Sequence, residues 1–262
     1  MHLEFTKYHG AGNDFIMVDG FKHQEVLYQL TKDDIESLCK RHFGIGADGL
    51  IIISPKDGYD LEMIYYNSDG AISSMCGNGG RCTVHFAHSL GYVEQNMRFL
   101  AADGPHKGRI ESDGIAISMS DVKNVENISA SSCYMNTGSP HYVSQLDANE
   151  NLLSLDLVTE ARKIRYNNRF SKEGTNVNFI TKANDTVQIR TYERGVEDET
   201  LACGTGVVAA AIVSKLGIKG HHSVQVKTRG GDLRVDFDAG DSYHNIWLYG
   251  PAQSIFSGII EI

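Results

Sequence analysis

Two short glycine-rich stretches, each containing one cysteine, hold the residues in this sequence that are best suited to chemistry. They are Met75-Cys76-Gly77-Asn78-Gly79-Gly80-Arg81 and Ala202-Cys203-Gly204-Thr205-Gly206. In each, a strand-like run ends at the cysteine and a helix-like run begins after it. A helix N-terminus presents unpaired N–H groups and a partial positive charge, which bind anions and stabilise a thiolate. Each stretch therefore predicts a carboxylate-binding site that contains a base.

The two cysteines belong to an internal repeat. Four landmarks recur in the same order at an offset of 126 to 128 residues. The pairs are Gly12 and Gly138, Gly46 and Gly174, Cys76 and Cys203, and the Leu-Gly pairs that begin at Leu90 and Leu216. Glycine-rich turns are common in a chain with 27 glycines, but four landmarks in order at a nearly fixed offset are not. We infer a duplicated domain with one cysteine in each copy.

The elements that must position these cysteines predict an α+β fold of two pseudo-symmetric domains. A chain of 262 residues with 41% apolar residues suits two domains of ordinary size. We place them at 1–122 and 123–251, and we expect the apolar tail at about 252–262 to return as a strand to the first. The helical run 207–213 is apolar all round, so its own sheet should enclose it. Each domain is then a barrel-like, mostly antiparallel sheet around a central helix.

Charge and cysteine usage narrow the class of protein. A net charge of −9 with no Lys/Arg cluster argues against nucleic acid or a membrane surface as partner. The N-terminus reads as an alternating strand without a signal-peptide pattern, and no long apolar run follows. Five cysteines, an odd number without C-x-x-C spacing, suit reduced thiols better than disulfides or zinc. We therefore expect a cytoplasmic protein without a metal site.

Two pseudo-symmetric thiol sites suggest inversion of a stereocentre. We expect both helix starts to face one substrate at the domain interface, where small-molecule clefts are frequent. A thiolate on one face of a carbon acid and a thiol on the other can remove and return a proton on opposite faces. The helix N–H groups would stabilise the charge that develops on the substrate carboxylate. Such chemistry requires no cofactor. A single cysteine is more often a small buried hydrophobe, but the symmetric placement favours the functional interpretation.

Four motifs of the chain follow the pattern of a known family. They are His9-Gly10-Ala11-Gly12-Asn13-Asp14-Phe15, the Met75–Cys82 stretch, Tyr192-Glu193-Arg194-Gly195 and Ala202-Cys203-Gly204-Thr205-Gly206. They closely resemble the motifs of the diaminopimelate epimerase family, and the resemblance covers essentially the whole chain. The resemblance implies a cofactor-independent, two-base enzyme that interconverts LL- and meso-2,6-diaminopimelate for lysine and cell-wall precursor synthesis. The implied partner is this small-molecule substrate. The sequence does not reveal the oligomeric state, and a homodimer stays open.

The resemblance also implies roles for individual residues. Cys76 and Cys203 match the base and acid pair. Positions that hold the substrate are Asn13, Asn67, Asn176 and Arg194, the last suited to a bidentate grip on the carboxylate of the non-reacting centre. The amides that hold the reacting carboxylate match Gly77-Asn78 and Gly204-Thr205. Glu193 matches a residue near the reacting amino group and the second thiol, and His141 matches one near the first thiol.

Structural roles stay open for several of these residues. Read alone, they are turn or strand-entry asparagines, a structural histidine and a solvated charge pair: Asn13, on a predicted loop, Asn67, Asn176, His141, and Glu193 with Arg194. Two positions depart from the family pattern. Gly49 stands where some members have Gln, and Ser139 stands where many have Asn before Pro-His. The shorter Ser139 requires a contact that is water-mediated, replaced or absent. These departures bear on substrate recognition and rate, not on the type of reaction.

Two other functions compete with this interpretation. A racemase or epimerase of proline or hydroxyproline shares the paired-cysteine architecture, but that branch resembles Met-Cys-Gly-His-Gly where this chain has Asn78. A proline ring also offers Arg194 no second carboxylate. A non-catalytic redox or ligand-binding protein could use the thiol pair as an oxidation switch. Reactive cysteines without turnover of any amino acid would favour it.

Overall fold

The chain folds into two compact units. The computed structural model describes residues 2–73, 75–112, 114–147, 150–183 and 185–262, except for the side chain of Leu27. The N-terminal unit comprises Met1–Ile117 together with Gly250–Ile262, and the C-terminal unit comprises Ser118–Tyr249. In the described ranges, no helix is long and apolar enough to cross a membrane.

The N-terminal unit is a sheet with one long central helix and two shorter helices. Its elements are β1 His2–Gly10, β2 Asn13–Asp19, α1 Val26–Gln29, α2 Lys32–Cys39, β3 Gly49–Ser54, β4 Leu61–Asn67, α3 Gly77–Ser89, β5 Asn96–Ala101, β6 Gly104–Glu111, β7 Gly114–Ser118 and the C-terminal strand β17 Gln253–Glu261. The strands pair in the order β17-β1-β2-β3-β4-β5-β6-β7. The pairs β2–β3 and β4–β5 are parallel, and the others are antiparallel.

The C-terminal unit repeats this arrangement. Its elements are β8 Val125–Ser129, β9 Ser132–Asn136, β10 Pro140–Gln145, a 3-10 turn Leu152–Ser154, α4 Leu157–Arg165, β11 Asn176–Ala183, β12 Thr186–Glu193, β13 Asp198–Thr200, α5 Gly204–Ser214, β14 Gly220–Thr228, β15 Gly231–Ala239 and β16 Tyr243–Gly250. The strands pair in the order β8-β9-β10-β11-β12-β14-β15-β16. The pairs β10–β11 and β12–β14 are parallel, at the same places as in the N-terminal unit.

The predicted duplication is visible in the backbone. Strand β17 pairs with β1 as β8 pairs with β9, so the last strand of the chain occupies the repeat's first position. Three glycine pairs that marked the repeat adopt the same left-handed conformation: Gly12 and Gly138 at φ 84° and 106°, Gly46 and Gly174 at 76° and 78°, and Gly91 and Gly217 at 78° and 79°. A side chain at such φ values is strained, so these turns specify glycine.

Each sheet encloses a helix, as predicted. Helix α5 packs against β9, β10, β11, β12, β14 and β15, and nearly all of its residues are buried. Helix α3 occupies the equivalent place against β1, β2, β3, β4, β6 and β17. Burial on every side explains why 207–213 lacks a polar face. The predicted α+β class, with a mostly antiparallel sheet around each helix, is confirmed.

Local signals fix several boundaries. Thr31 and Asp34 form a complete capping box at the start of α2, in which the shorter Asp replaces the usual Glu. Asp156 caps α4 through the Thr159 N–H.

The turn between β1 and β2 is tighter than we predicted. Ala11 and Gly12, at φ 52° and 84°, connect β1 directly to β2.

Candidate active site

Two of the five cysteines differ from the rest in exposure. Cys39, Cys82 and Cys133 are buried, and burial raises the pKa of each thiol, to about 11 for Cys39 and about 12 for Cys82. Cys76 and Cys203 are partly exposed, and no disulfide joins any of the five, all of which lie in described ranges. The thiols available for chemistry are therefore those at the two helix starts.

Cys76 is the N-cap residue of α3. Its extended backbone, at φ −97° and ψ 128°, allows its carbonyl to accept from the Gly80 N–H at 2.7 Å. Its side chain makes no capping hydrogen bond. Gly79 keeps the first turn close to the sheet, since a Cβ there would lie 2.9 Å from Ile51 Cδ1. The thiol therefore stands beside the N-terminal amides of a helix, where anions are stabilised.

The side chain of Asn13 contacts Cys76 directly. Its Oδ1 accepts from the Cys76 thiol and from Asn78 Nδ2, each at 3.4 Å, and its Nδ2 donates to Asp48 Oδ2 at 2.5 Å. Because a carboxylate only accepts, Asp48 fixes the orientation of the Asn13 amide. Asn13 begins β2 rather than lying on a loop, because the preceding turn is only two residues long. The structure thus groups three of the predicted site residues in the N-terminal unit.

Charged residues hold this corner of the N-terminal unit in place. Asp14 pairs with Lys7 at 2.8 Å and with Arg41 at 2.6 Å, and Arg41 also reaches Asp48 at 2.8 Å. Burial alone would raise the pKa of Asp14, but hydrogen bonds from Arg41 and Lys7 outweigh it and lower this pKa to about 2. The carboxylate that follows Asn13 is therefore ionised at neutral pH.

Arg81 is a fully buried cation one turn into α3. Its guanidinium donates to Asn78 Oδ1 at 2.7 Å and to the carbonyls of Gly77 at 3.2 Å and Pro251 at 3.4 Å. Burial lowers its pKa to about 10, so it stays charged at neutral pH. It forms no ion pair with a carboxylate in the described part of the chain. Burying a charge costs folding free energy unless hydrogen bonds compensate for the lost water, and here three acceptors surround the guanidinium.

Cys203 is the N-cap residue of α5 and repeats the geometry of Cys76. Its backbone is extended at φ −114° and ψ 111°, and its carbonyl accepts from the Val207 N–H at 2.9 Å. Its sulfur lies 3.4 Å from Thr205 Oγ1. The Thr205 carbonyl accepts from the Thr137 hydroxyl at 2.8 Å, which ties the first turn of α5 to the β9–β10 turn.

His141 is buried behind Thr205. Its Nε2 lies 2.8 Å from Thr205 Oγ1, and its Nδ1 lies 3.0 Å from Asn178 Nδ2. Burial lowers the pKa of His141 to about 3, and the nearby charge of Arg194 acts in the same direction. The imidazole is therefore neutral in the working range of most enzymes.

Asn176 connects the strand ends of the C-terminal unit. Its Nδ2 donates to Ser139 Oγ at 2.6 Å and to the Pro140 carbonyl at 3.0 Å, and its Oδ1 accepts from the Arg194 N–H at 2.9 Å. Ser139, one of the two departures from the family pattern, thus makes a direct contact to a predicted site residue.

Glu193 and Arg194 lie where β12 ends. Glu193 accepts from the Thr200 hydroxyl at 2.9 Å. The exposed side chain of Arg194 donates to the Glu173 carbonyl at 2.9 Å and passes over Gly174, where a Cβ would lie 2.6 Å from its Cδ. The glycine leaves room for the arginine, whose exposed guanidinium can reach a ligand.

Asn67 and Gly49 face each other across β3 and β4. Asn67 is the last residue of β4, and no hydrogen bond joins its side chain to the Asn13 group within the described residues. A Cβ at Gly49 would lie 2.4 Å from the Tyr66 carbonyl. Gly49, which stands where some members of the family have Gln, therefore lies at a place where β3 and β4 approach closely.

Several residues of these networks were not assigned roles from the sequence, among them Arg81, Asp48, Asn178 and Thr191, whose hydroxyl donates to Asn178 Oδ1 at 2.9 Å. Arg81 stands inside a motif that we quoted, but burial of its charge leaves no mark in the sequence. Asn178 follows Asn176 by two residues on the same strand, so strand alternation places both on one face. This spacing of two residues on one strand could have identified Asn178 from the sequence. Among the described residues, no group of three or more His, Cys, Asp or Glu side chains could hold a metal ion.

Solved structures of other proteins share this fold. A crystal structure of a Bacillus anthracis phenazine biosynthesis protein of the PhzF family matches with a TM-score of 0.71 at 14% identity and covers all of both chains. A hydroxyproline epimerase from Agrobacterium vitis matches with a TM-score of 0.67 at 14% identity, over 99% of this chain and 92% of that one. Likeness at this identity shows the fold alone.

Sequence relatives define the family. The family model described as diaminopimelate epimerase matches twice, at residues 5–125 and 133–255. A diaminopimelate epimerase of Flavobacterium psychrophilum is 44% identical over 98% of this chain and all of the relative. One from Chlorobaculum tepidum is 41% identical over 97% of this chain and 99% of the relative. The chain belongs to the diaminopimelate epimerase family.

Proposed function

We propose that this chain interconverts LL- and meso-2,6-diaminopimelate by moving the α-proton between two thiols, those of Cys76 and Cys203. One observation carries the proposal. The diaminopimelate epimerase model matches both halves of the chain, and each half holds a partly exposed thiol at the start of its central helix. The reaction supplies meso-diaminopimelate to lysine and cell-wall precursor synthesis.

The chemistry divides between the two halves. The thiolate of one cysteine takes the α-proton from one face of the substrate, which leaves a carbanion and a neutral thiol. The thiol of the other cysteine gives its proton to the opposite face and becomes the thiolate. The enzyme therefore ends the turnover with the protonation of the two sulfurs exchanged, ready for the reverse reaction. The proposal requires both sulfurs to reach one α-carbon.

The helix starts would bind the reacting carboxylate. The first-turn amides at Gly77-Asn78 and Gly204-Thr205 are of the kind that stabilise negative charge. As the α-proton leaves, charge grows on the carboxylate oxygens, and preorganised N–H donors stabilise this state more than the ground state. Fixed donors of this type favour the transition state because they need no reorganisation.

The remaining predicted residues would hold the rest of the substrate. Arg194 presents an exposed guanidinium suited to the distal carboxylate, and Asn176 is tied to its backbone. Asn13 and Asn67 would contact the substrate from the N-terminal unit. Glu193 would lie near the reacting amino group and the second thiol. His141, which hydrogen-bonds to Thr205 within its own unit, would also lie near the first thiol.

Activity on proline or hydroxyproline is not favoured. The hydroxyproline epimerase shares the fold at 14% identity, whereas relatives named diaminopimelate epimerase are 36% to 44% identical over nearly the whole chain. We also propose a cytoplasmic location, no cofactor, and no nucleic-acid or membrane partner. A homodimer is compatible with the proposal but is not needed by it.

A substrate panel tests the proposed function. Purified protein is incubated with LL-diaminopimelate, L-proline and trans-4-hydroxy-L-proline, and the stereoisomers are separated by chiral chromatography. We expect meso-diaminopimelate to form and the two cyclic amino acids to stay unchanged. Conversion of either cyclic amino acid in preference to diaminopimelate would contradict the proposal. Thiol reactivity without conversion of any of the three would favour a redox protein.

A further inference from the structure

A buried chain of hydrogen bonds leads to Cys203 within the C-terminal unit. It runs from Asn178 on β11 to His141 on β10 at 3.0 Å, from His141 to Thr205 at 2.8 Å, and from Thr205 to the Cys203 sulfur at 3.4 Å. Asn178 and His141 are both fully buried. The direction of each hydrogen bond follows from its neighbours.

The amide of Asn178 has only one consistent orientation. Its Nδ2 donates to the Tyr142 carbonyl at 2.9 Å, an atom that only accepts. Its Oδ1 accepts from the Thr191 hydroxyl at 2.9 Å. Nδ2 is therefore the atom that faces His141 Nδ1, and it donates to that nitrogen.

This orientation fixes the tautomer of His141. Because Nδ1 accepts from Asn178 and the ring is neutral, the ring proton is on Nε2. The Nε2–H then donates to Thr205 Oγ1. Asn176 Nδ2 also lies 3.4 Å from Nε2, but it donates to Ser139 Oγ and the Pro140 carbonyl at shorter distances.

The hydroxyl of Thr205 completes the chain. Its oxygen accepts from His141, so its own proton can point to the sulfur of Cys203. A hydrogen bond from a hydroxyl to a thiolate is charge-assisted and favours the ionised form. Two charged side chains also lie in this region, Glu193 and Arg194 at the end of β12, and the charge of Arg194 acts on His141.

We propose that Asn178 is a positioning residue for the reaction, which holds His141 as the Nε2–H tautomer and thereby directs the Thr205 hydroxyl proton to the Cys203 sulfur. This inference rests on the proposed function, in which Cys203 must be a thiolate in one direction of turnover. The amide acts at a distance from the substrate, through two intervening side chains. Without it, His141 can present an unprotonated Nε2 that takes the Thr205 proton away from the sulfur.

The tautomer can be observed in the native protein. Nitrogen NMR of protein labelled with ¹⁵N-histidine distinguishes the protonated from the unprotonated ring nitrogen, and a His141→Gln variant assigns the signal among the 11 histidines. We expect a neutral ring with the proton on Nε2 throughout pH 5 to 9. A proton on Nδ1, or a charged ring at pH 7, would overturn the proposal.

The effect on the sulfur is measured by alkylation. Iodoacetamide is applied across a range of pH, and the rate at Cys203 is read from its own peptide by mass spectrometry. For Asn178→Leu we expect the pH midpoint to rise by about one unit, which is about tenfold slower alkylation at pH 7. Gln188→Leu, which removes an exposed amide on β12, should leave the rate unchanged.

A double-mutant cycle separates positioning from general damage. Thr205→Val should slow alkylation as Asn178→Leu does, and Thr205→Ser, which keeps the hydroxyl, should restore it. If Asn178 acts through Thr205, the double variant Asn178→Leu/Thr205→Val is no slower than Thr205→Val alone. Additive slowing would overturn the proposal. Should Asn178→Leu not fold, the NMR measurement and the Thr205 pair still decide.

These measurements need no substrate and so separate the two proposals. A native enzyme that epimerises diaminopimelate, but whose Cys203 does not respond to these changes, overturns the role of Asn178 alone. The opposite result is a native protein in which Asn178 and Thr205 control alkylation of Cys203 but which turns over no diaminopimelate. That result overturns the proposed function, and the hydrogen bonds that lead to Cys203 then have no role in catalysis.

Discussion

The guanidinium of Arg81 donates to the side-chain oxygen of Asn78 across 2.7 Å, and both side chains are buried. Because that oxygen is occupied, Asn78 turns its Nδ2 toward Asn13 Oδ1, the atom that also accepts from the Cys76 thiol. A buried cation therefore orients the amides beside one of the two thiols.

Replacing Arg81 tests this relationship. In Arg81→Met the donor to Asn78 is lost, together with a positive charge whose field acts on the first turn of α3. We expect kcat/KM for diaminopimelate to fall by at least about tenfold, as expected for loss of a hydrogen bond to a charged group. Arg98→Met removes an exposed guanidinium from β5 of the same unit and serves as the control. Equal activity of the two variants, both folded by circular dichroism, would refute the role.

The distal carboxylate contact predicts a change in substrate affinity. Arg194→Lys keeps the charge but loses the planar pair of donors that grips a carboxylate. We expect KM for diaminopimelate to rise by about tenfold or more, with a smaller change in kcat. Arg169→Lys, at an exposed ion pair with Glu126, is the matched control. An unchanged KM in Arg194→Lys would remove this residue from the proposed site.

The space around Gly206 predicts a sensitive position. A Cβ there would lie 2.6 Å from Asn178 Oδ1 and 3.3 Å from His141 Cε1, so Gly206→Ala must displace both side chains. We expect kcat to fall by about tenfold or more, because the displaced groups no longer hold Thr205. At Gly240 the nearest atom to a Cβ is 3.9 Å away, so Gly240→Ala should be silent. The comparison is made by steady-state kinetics, and similar kcat values for the two variants would contradict the expectation.

The ion pairs of Asp14 predict how stability depends on pH. Its pKa is about 2 in the folded protein and about 3.9 when unfolded, so its contribution is present above about pH 4 and is lost as the pH falls toward 2. Asp14→Asn should therefore lower the free energy of unfolding at pH 7 by about 2 kcal/mol, and by clearly less at pH 3.

Urea unfolding at the two pH values measures this difference. Asp57→Asn changes an exposed loop carboxylate and is the control. The same loss for Asp14→Asn at pH 7 and pH 3 would show that its ion pairs do not cause the effect.

Patterns with a fixed period or spacing were predictable from the sequence. The repeat, the enclosed helices and the cysteines at their starts all follow from glycine spacing and apolar runs. The tight turn before Asn13 and the short elements α1 and β13 were not predicted, because two to four residues carry no period. A turn of two residues depends on φ values at Ala11 and Gly12 that composition does not dictate.

The supporting residues of the site were harder to predict because tertiary packing determines their roles. Arg81 reads as an ordinary helix residue until its burial is known, and the tautomer of His141 depends on amides contributed by another strand. Even the resemblance to a family, which named the candidate residues, did not indicate which side chains orient them. Those contacts exist only in the folded units.

The central claim, proton exchange between two thiols, is tested most directly by turnover in deuterium oxide. Native protein and the variants Cys76→Ser and Cys203→Ser are incubated with LL-diaminopimelate, and the meso product is isolated and analysed by mass spectrometry. We expect the native product to carry one deuterium at the inverted α-carbon, and both folded variants to form less than about one hundredth as much product. Unlabelled meso product, or full activity in either single variant, would contradict the mechanism.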